Sequence, residues 1–133
     1  MGLVTVSVIV CAHNEAQYLA PCLYSLLAQS RPPDEIIVIN NASSDATGEV
    51  ARRVPGVRVI DEPRKGLVVA RETGRRAATG DVLVYLDADC RAPLTWLERV
   101  EAKFACGRGS WRRRDPARDP APGRAEHRVS STS

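Results

Sequence analysis

The sequence predicts an α/β fold in which a mostly parallel β-sheet carries helices on both faces. Short apolar runs rich in Val and Ile alternate along the chain with segments whose apolar residues recur at helical spacing. The runs are continuous, as is typical of strands that are covered on both faces. The chain has 133 residues, 44% of them hydrophobic, which is enough for one core.

A strand, a loop and a helix open the chain. Residues 6–11 are rich in β-branched side chains and predict the first strand, and residues 12–15 are the polar loop that follows it. The next apolar side chains recur at helical spacing and predict a helix containing Leu19, Cys22, Leu23, Leu26 and Leu27. The prolines within residues 31–33 end this helix.

The same pattern then repeats. Residues 35–39 predict the second strand, and residues 40–45 form a loop that is rich in helix-capping side chains. A short helix through Val50 and Val54 follows, and residues 57–60 predict the third strand.

The last units complete the predicted sheet. A helix over residues 67–79 is expected to end at Gly80, a position where a left-handed C-cap is favoured. Residues 82–86 predict a buried strand. Residues 93–106 predict the final helix, with Pro93 suited to its first turn.

The chain divides into a domain, residues 1–106, and a tail, residues 107–133. The domain has 12 Lys and Arg against 13 acids, whereas the tail has 7 Arg against 3 acids. The tail is rich in Arg, Pro, Ala, Gly and Ser and has too few apolar side chains for a core, which predicts disorder. A shifted reading frame is one hypothesis for this change in composition.

The cysteines indicate neither a zinc site nor a disulfide framework, because no two of them have Cys-x-x-Cys spacing. We expect reduced thiols at Cys11, Cys22, Cys90 and Cys106. The apolar segment 4–12 is too short to span a bilayer, and no secretory signal precedes it. The sequence therefore predicts a cytoplasmic chain without a transmembrane segment.

Asp87 and Asp89 directly follow the buried strand over residues 82–86. The carboxyl ends of parallel strands are where such sheets bind ligands. Two acids separated by a small residue suit Mg²⁺ or Mn²⁺, which take few protein carboxylates and complete their shell with water and phosphate oxygens. A solvated Asp-x-Asp turn is the alternative interpretation.

Four segments, in order, resemble motifs of the family 2 glycosyltransferases of GT-A fold, over about residues 4–104. They are an opening strand that ends in His13-Asn14-Glu15, the run Asn40-Asn41-Ala42-Ser43-Ser44-Asp45-Ala46-Thr47, Lys65-Gly66 with Ala70-Arg71-Glu72-Thr73-Gly74, and Leu86-Asp87-Ala88-Asp89. The resemblance implies a GT-A, Rossmann-like sheet. It also implies transfer of a sugar from a metal-bound UDP-sugar or GDP-sugar to an acceptor, which would be a glycan, a lipid or a small molecule.

The resemblance also implies roles for particular residues. Asp89 and Asp87 would hold Mn²⁺ or Mg²⁺, and Asp87 would also contact the ribose or the water shell of the ion. The nucleotide-sugar site would consist of His13, Glu15, Asn40, Asn41, Lys65, Arg71 and Asp87. His13 is suited to stack on the base and Arg71 to meet a phosphate oxygen.

Structural interpretations of several of these residues stay open. His13 fits a loop histidine as well as a base-stacking one, and Arg71 fits a solvated helix charge beside Glu72. Lys65 fits an exposed charge beside a turn. For Asp45 we favour a helix cap over a ligand contact.

Two departures from the family pattern bear on function. Asn40 stands where an acid is usual, so any contact with the base would lose its charge assistance. After Phe104 nothing resembles the half of the family that forms the acceptor site and supplies the catalytic base. The chain is therefore expected to be a truncated form, without its catalytic base and of uncertain activity alone.

Two other functions compete with sugar transfer. One is a non-catalytic module that binds a nucleotide or nucleotide sugar. The other is nucleic-acid binding through the Arg-rich tail, which we do not expect because the domain is slightly acidic and offers no basic face. A dinucleotide-binding dehydrogenase is excluded, since no Gly-x-Gly-x-x-Gly follows the first strand.

Overall fold

The structure of the protein is a computed structural model that describes residues 4–105 and the backbone of residues 125–129. Strands and helices alternate through these ranges. In chain order the elements are β1 (Val6–Ala12), α1 (Ala16–Leu27), β2 (Glu35–Asn41), α2 (Thr47–Arg53), β3 (Arg58–Glu62), α3 (Leu67–Ala77), β4 (Val82–Asp87), α4 (Trp96–Ala105) and β5 (Ala125–Val129).

The strands form one parallel sheet in the order β3-β2-β1-β4-β5. The chain first builds outward from β1 to β3 and then crosses to the other side of β1, where β4 lies. At the junction, Cys11 of β1 is level with Asp87 of β4, while Ala12 is level with Asn40 of β2. The predicted parallel sheet is confirmed, and β1 and β4 form its topological switch point.

Alternate side chains of β1 enter two separate cores, as the period of two of a strand requires. Val8 and Val10 lie in the larger core with buried residues of α1, α2 and α4, among them Leu23 and Leu97. Ile9 lies in the smaller core on the opposite face, against α3. The expectation of helices on both faces is therefore confirmed.

Helix α3 packs very closely against the sheet at Gly74. A Cβ atom at this position would lie 2.5 Å from Cγ2 of Ile9, a side chain that is fully buried. Glycine is therefore needed here for close approach, which sets the distance between α3 and the strands that it covers.

The predicted role of Gly80 is wrong. Helix α3 ends at Ala77, Ala78 is extended with φ −71° and ψ 141°, and Gly80 is not among the residues with positive φ. A Cβ at Gly80 would instead lie 2.6 Å from Oγ of Ser7, and the Gly80 N–H donates to that oxygen at 2.9 Å. Because Gly80 has no side chain, its backbone can lie in close contact with β1.

The prediction of a disordered tail is wrong for residues 125–129. These residues form β5, which pairs in parallel with β4 from Val82 to Leu86. The physical reason is that β4 would otherwise present a row of unpaired N–H and C=O groups, which the backbone of a further strand satisfies. The rest of the tail lies outside the described residues.

Several boundaries differ from the sequence-based expectation, among them the end of β3 and the start of α4. Strand β3 continues to Glu62, which brings that carboxylate to the carboxyl edge of the sheet. Helix α4 begins at Trp96, whose N–H donates to the carbonyl of Pro93 at 3.0 Å in the turn before the helix. None of the helices in the described ranges is both long and apolar enough to cross a membrane.

Candidate functional site

The carboxyl edge of the sheet brings together the loops that follow β1, β2, β3 and β4. Open α/β sheets bind ligands in the crevice beyond this edge, at the point where the strand order reverses. The residues of the four motif segments lie in these loops, at the ends of the strands that precede them, or in the helices α2 and α3 that follow.

His13 ties the loop after β1 to the end of β2. Its Nδ1 lies 2.7 Å from the carbonyl oxygen of Asn41, so this nitrogen carries the proton and donates. The other ring nitrogen, Nε2, lies 3.4 Å from the Asn14 amide nitrogen and accepts from it. In turn, Asn14 Oδ1 accepts the N–H of Ser44 at 2.8 Å. The ring is half-buried and has a contact at each of its two nitrogens.

Asn41 is buried and uses its side-chain amide to fix the loop between β3 and α3. Its Nδ2 donates to the carbonyl of Glu62 at 3.1 Å and to that of Arg64 at 2.7 Å. Its Oδ1 accepts the N–H of Gly66 at 2.9 Å. A carboxylate has no N–H groups to donate, which explains why an amide stands here.

Glu62 is a second anchor of the same loop, and sequence reasoning missed it. Its buried carboxylate accepts from the backbone N–H of Arg64 at 2.9 Å, from the Arg64 guanidinium and from the Thr73 hydroxyl at 2.7 Å. The hydrogen bonds from Arg64, above all those of its side chain, lower the pKa of Glu62 to about 2. The sequence offered one signal for this contact, which is an acid at the end of a strand, two residues before an arginine.

The loop closes one side of a pocket of about 170 Å³. This volume suits a planar ring, since a cavity of about 150 Å³ holds benzene. The backbone of Gly66 has φ 143°, a conformation that favours glycine, and it leads directly into α3. The pocket is lined by Cys11, Ala12, His13, Asn41, Lys65, Gly66, Leu67 and Ala70.

Asp87, Asp89 and Cys90 form a compact group of ligand atoms beside this pocket. One carboxylate oxygen of each aspartate and the Cys90 sulfur all lie within 4.8 Å of one another. The Cys90 N–H donates to the Asp87 carbonyl at 2.9 Å, which turns the chain back on itself. Two carboxylates are the donors that Mg²⁺ and Mn²⁺ favour, so this donor set fits a divalent cation.

Glu15 lies at the edge of the same negative region. Partial burial, followed by the charges of Asp89 and Asp45, raises the pKa of Glu15. Its backbone N–H donates to the hydroxyl of Thr47 at 2.9 Å, which joins the start of α1 to the start of α2. The structure therefore places Glu15 within electrostatic reach of the Asp87 and Asp89 pair.

Arg71 belongs to the first turns of α3, and its side chain lies over Tyr85 of β4. Its guanidinium carbon lies 5.9 Å from the ring centroid of Tyr85, and its Nη2 is buried with no hydrogen-bond partner among the described residues. Glu72 instead pairs with Arg75 and Arg76. A buried guanidinium nitrogen without an acceptor fits a site for an anionic ligand.

Asn40 is a predicted site residue that the structure does not bring to the pocket. It is adjacent to Asn41 on β2, so its side chain lies on the opposite face of the sheet. There its Nδ2 donates to Asp61 at 3.0 Å, and Asp61 also pairs with Arg52 of α2.

Lys65 and Asp45 lie at the margins of the site. Lys65 is exposed and lines the pocket rim. Asp45 Oδ1 accepts the N–H of Thr47 at 3.0 Å, and its Oδ2 lies 3.4 Å from the N–H of Ala16. Asp45 thus contacts the first residues of two helices, but it is not the expected helix cap, because the N-cap of α2 is Ala46.

Comparisons with known proteins give the family. The family model for glycosyl transferase family 2 matches residues 7–116. The glycosyltransferase AglE of Haloferax volcanii is 36% identical over 101 residues, which are 71% of this chain and 33% of that protein.

Solved structures agree with the sequence comparison. The mannosyltransferase PcManGT of Pyrobaculum calidifontis, in complex with GDP-Man and Mn²⁺, superposes with a TM-score of 0.67 and 31% identity over 75% of this chain and 31% of that one. Glucosyl-3-phosphoglycerate synthase of Mycobacterium tuberculosis superposes with a TM-score of 0.60 and 29% identity over 69% of this chain and 35% of that one. The chain spans about one third of the length of these relatives. With its GT-A sheet and the family model matched along most of its length, the chain belongs to glycosyl transferase family 2.

Proposed function

We propose that this chain binds a nucleoside diphosphate sugar of uridine or guanosine together with Mn²⁺ or Mg²⁺, as the donor-binding part of a glycosyltransferase. The proposal rests on one observation, which is that three features lie close together at the switch point. They are a pocket of ring size, an adjacent pair of carboxylates at Asp87 and Asp89, and the buried, unsatisfied Nη2 of Arg71.

Each feature suits a different part of such a ligand. The pocket takes the base, with His13 in its wall and Lys65 at its rim. Asp89 ligates the cation, and Asp87 contacts the ribose or the water shell of the cation. Arg71 donates to a phosphate oxygen, which satisfies its buried nitrogen and brings positive charge to the diphosphate.

A divalent cation, when bound, stabilises the negative charge that develops on the departing diphosphate. The residues of the chain do the rest of the positioning. The acid pair fixes where the diphosphate lies, and Glu62 and Asn41 hold the loop that forms the pocket wall. The N-terminus of α3 opens at this wall, where the helix dipole favours an anion.

The solved relatives support both parts of the proposal. PcManGT was solved with GDP-Man and Mn²⁺, and the synthase of Mycobacterium tuberculosis with Mn²⁺, UDP and phosphoglyceric acid. The TarS structure of Staphylococcus aureus, 25% identical, was solved with UDP-GlcNAc. The nucleotides in these complexes belong to one chemical class, a nucleoside diphosphate with or without its sugar.

Sugar transfer also needs an acceptor platform and a base beside the acceptor hydroxyl. Among the described carboxylates at this edge, Asp87 and Asp89 form the cation pair, Asp45 and Glu62 are held by hydrogen bonds, and Glu15 lies on the donor side beside Asp89. We therefore assign donor binding to this chain and expect little acceptor-dependent turnover from it alone. Robust turnover in a nucleotide-release assay with a panel of acceptors would contradict that assignment.

The direct experiment is calorimetric titration of the chain with UDP and GDP, with and without Mn²⁺. We expect weak binding without the cation, because Asp87 and Asp89 repel the diphosphate, and tighter binding with it. Asp89→Asn should abolish the gain from Mn²⁺. The matched control is Glu49→Gln, which removes the same charge from an exposed position on α2.

The control variant should retain the full cation effect. Equal affinity for both nucleotides with and without Mn²⁺ in the wild-type chain would rule out the metal-dependent site. Cation-dependent binding that survives Asp89→Asn unchanged would show that another part of the chain holds the cation.

A further inference from the structure

We propose that Cys90 is a third protein ligand of the cation site, so that this site binds thiophilic divalent cations such as Zn²⁺ and Cd²⁺ more tightly than an all-carboxylate pair would. The inference rests on the proposed function, because it extends the Asp87 and Asp89 pair. It predicts a metal preference that carboxylates alone do not give.

The geometry of the turn after β4 places the three donors together. The Cys90 sulfur, one oxygen of Asp87 and one oxygen of Asp89 fall within 4.8 Å of one another. The sulfur lies 3.8 Å from Oδ1 of Asp89. Ligands bound to one cation at about 2.0–2.3 Å lie some 3–4 Å apart, so small side-chain rotations bring all three into contact with it.

The other described thiols lack this placement. Cys22 is fully buried in the larger core, and its sulfur faces the Asp87 carbonyl at 3.6 Å. Burial raises the pKa of Cys22 to about 12, which opposes formation of a thiolate. Cys11 lines the nucleotide pocket, and burial raises its pKa to about 11. Cys90 is half-exposed and adjoins the acid pair.

The chemistry of coordination sets the selectivity. When a cation binds, the Cys90 thiol releases its proton to water and a sulfur–metal bond forms. Thiolate is a soft ligand that selects Zn²⁺ and related ions, whereas carboxylates and water suit Mg²⁺ and Mn²⁺. Three protein ligands leave a coordination position open for a diphosphate oxygen.

Cadmium titration of the full chain tests the inference, because a Cd²⁺–thiolate bond gives a charge-transfer absorption band in the ultraviolet. The wild-type chain and Cys11→Ser should both show the band. Cys90→Ser should lose it, and its Cd²⁺ affinity should fall by at least about tenfold, which is the smallest usual effect of losing even an outer-shell partner of a metal ligand. Asp89→Asn should weaken Cd²⁺ binding while it keeps the thiolate band at saturation.

Mn²⁺ binding, followed by electron paramagnetic resonance with UDP present, separates this inference from the proposed function. Cys90→Ser should lower the Mn²⁺ affinity much less than the Cd²⁺ affinity, because Mn²⁺ prefers oxygen ligands, and the Mn²⁺ that it binds also shows that the variant is folded. If the wild-type chain does not bind Mn²⁺, the proposed function is wrong. The assignment of Cys90 would be overturned if Cys90→Ser kept the full Cd²⁺–thiolate band. It would also be overturned if Asp89→Asn left the Cd²⁺ affinity unchanged.

Discussion

Replacing Asn41 by aspartate should destabilise the chain although the two side chains have the same shape. The variant loses both N–H donors, so the carbonyls of Glu62 and Arg64 each lose a partner and face a carboxylate instead. The Glu62 carbonyl keeps the N–H of Ala42 as a donor at 3.0 Å and the bond from Gly66 is retained, so the cost is that of two lost hydrogen bonds, about 1–3 kcal/mol together. We therefore expect a loss of about 1–3 kcal/mol in the free energy of unfolding.

Urea denaturation measures this loss through the midpoint and slope of the transition. The matched control is Gln17→Glu, which makes the same amide-to-acid change at an exposed position of α1. Its effect should stay within about 0.5 kcal/mol. Nucleotide affinity should fall in Asn41→Asp alone. Equal stability of the two variants would refute the claim that the Asn41 amide holds the pocket loop.

Three further predictions follow from single contacts. The first concerns the lowered pKa of Glu62. Its ionised form stabilises the fold above pH about 4.5, and this stabilisation is lost as the pH falls towards about 2. In acid titration, the free energy of unfolding of Glu62→Gln should therefore fall less over this range than that of the wild-type chain. Gly74→Ala should destabilise by about 1–3 kcal/mol through overpacking, as thermal unfolding would show. Gly48→Ala should cost less, since flexible side-chain ends can move aside. Arg71→Gln should weaken UDP binding about tenfold in calorimetry, whereas the exposed Arg76→Gln should not.

The sequence was sufficient for features that depend on local pattern. The apolar run over β4 predicted a buried parallel strand, and the position of Asp87 and Asp89 directly after it predicted their place at the sheet edge. Adjacent residues of a strand lie on opposite faces, so the separation of Asn40 from Asn41 was also available from the sequence.

Other features depend on contacts between segments far apart in the chain. Nothing near Asn41 in sequence indicates that its amide meets the loop after β3, because its partners are more than twenty positions away. The requirement for glycine at residue 80 depends on its packing against Ser7, which helix-capping preferences do not report. The pairing of β5 depends on the open edge of β4, and the paired segment has no run of apolar residues that would predict a strand.

The most direct test of a metal–nucleotide site at the switch point is paramagnetic broadening of backbone amide signals in nuclear magnetic resonance. Mn²⁺ added with UDP should broaden the signals of Glu15, Asp89 and Cys90, which surround the proposed cation position. Signals of Thr79 and Asp81, at the start of β4 and the opposite edge of the sheet, should stay sharp. Broadening centred on that opposite edge, or none at Asp89 when UDP is present, would contradict the account.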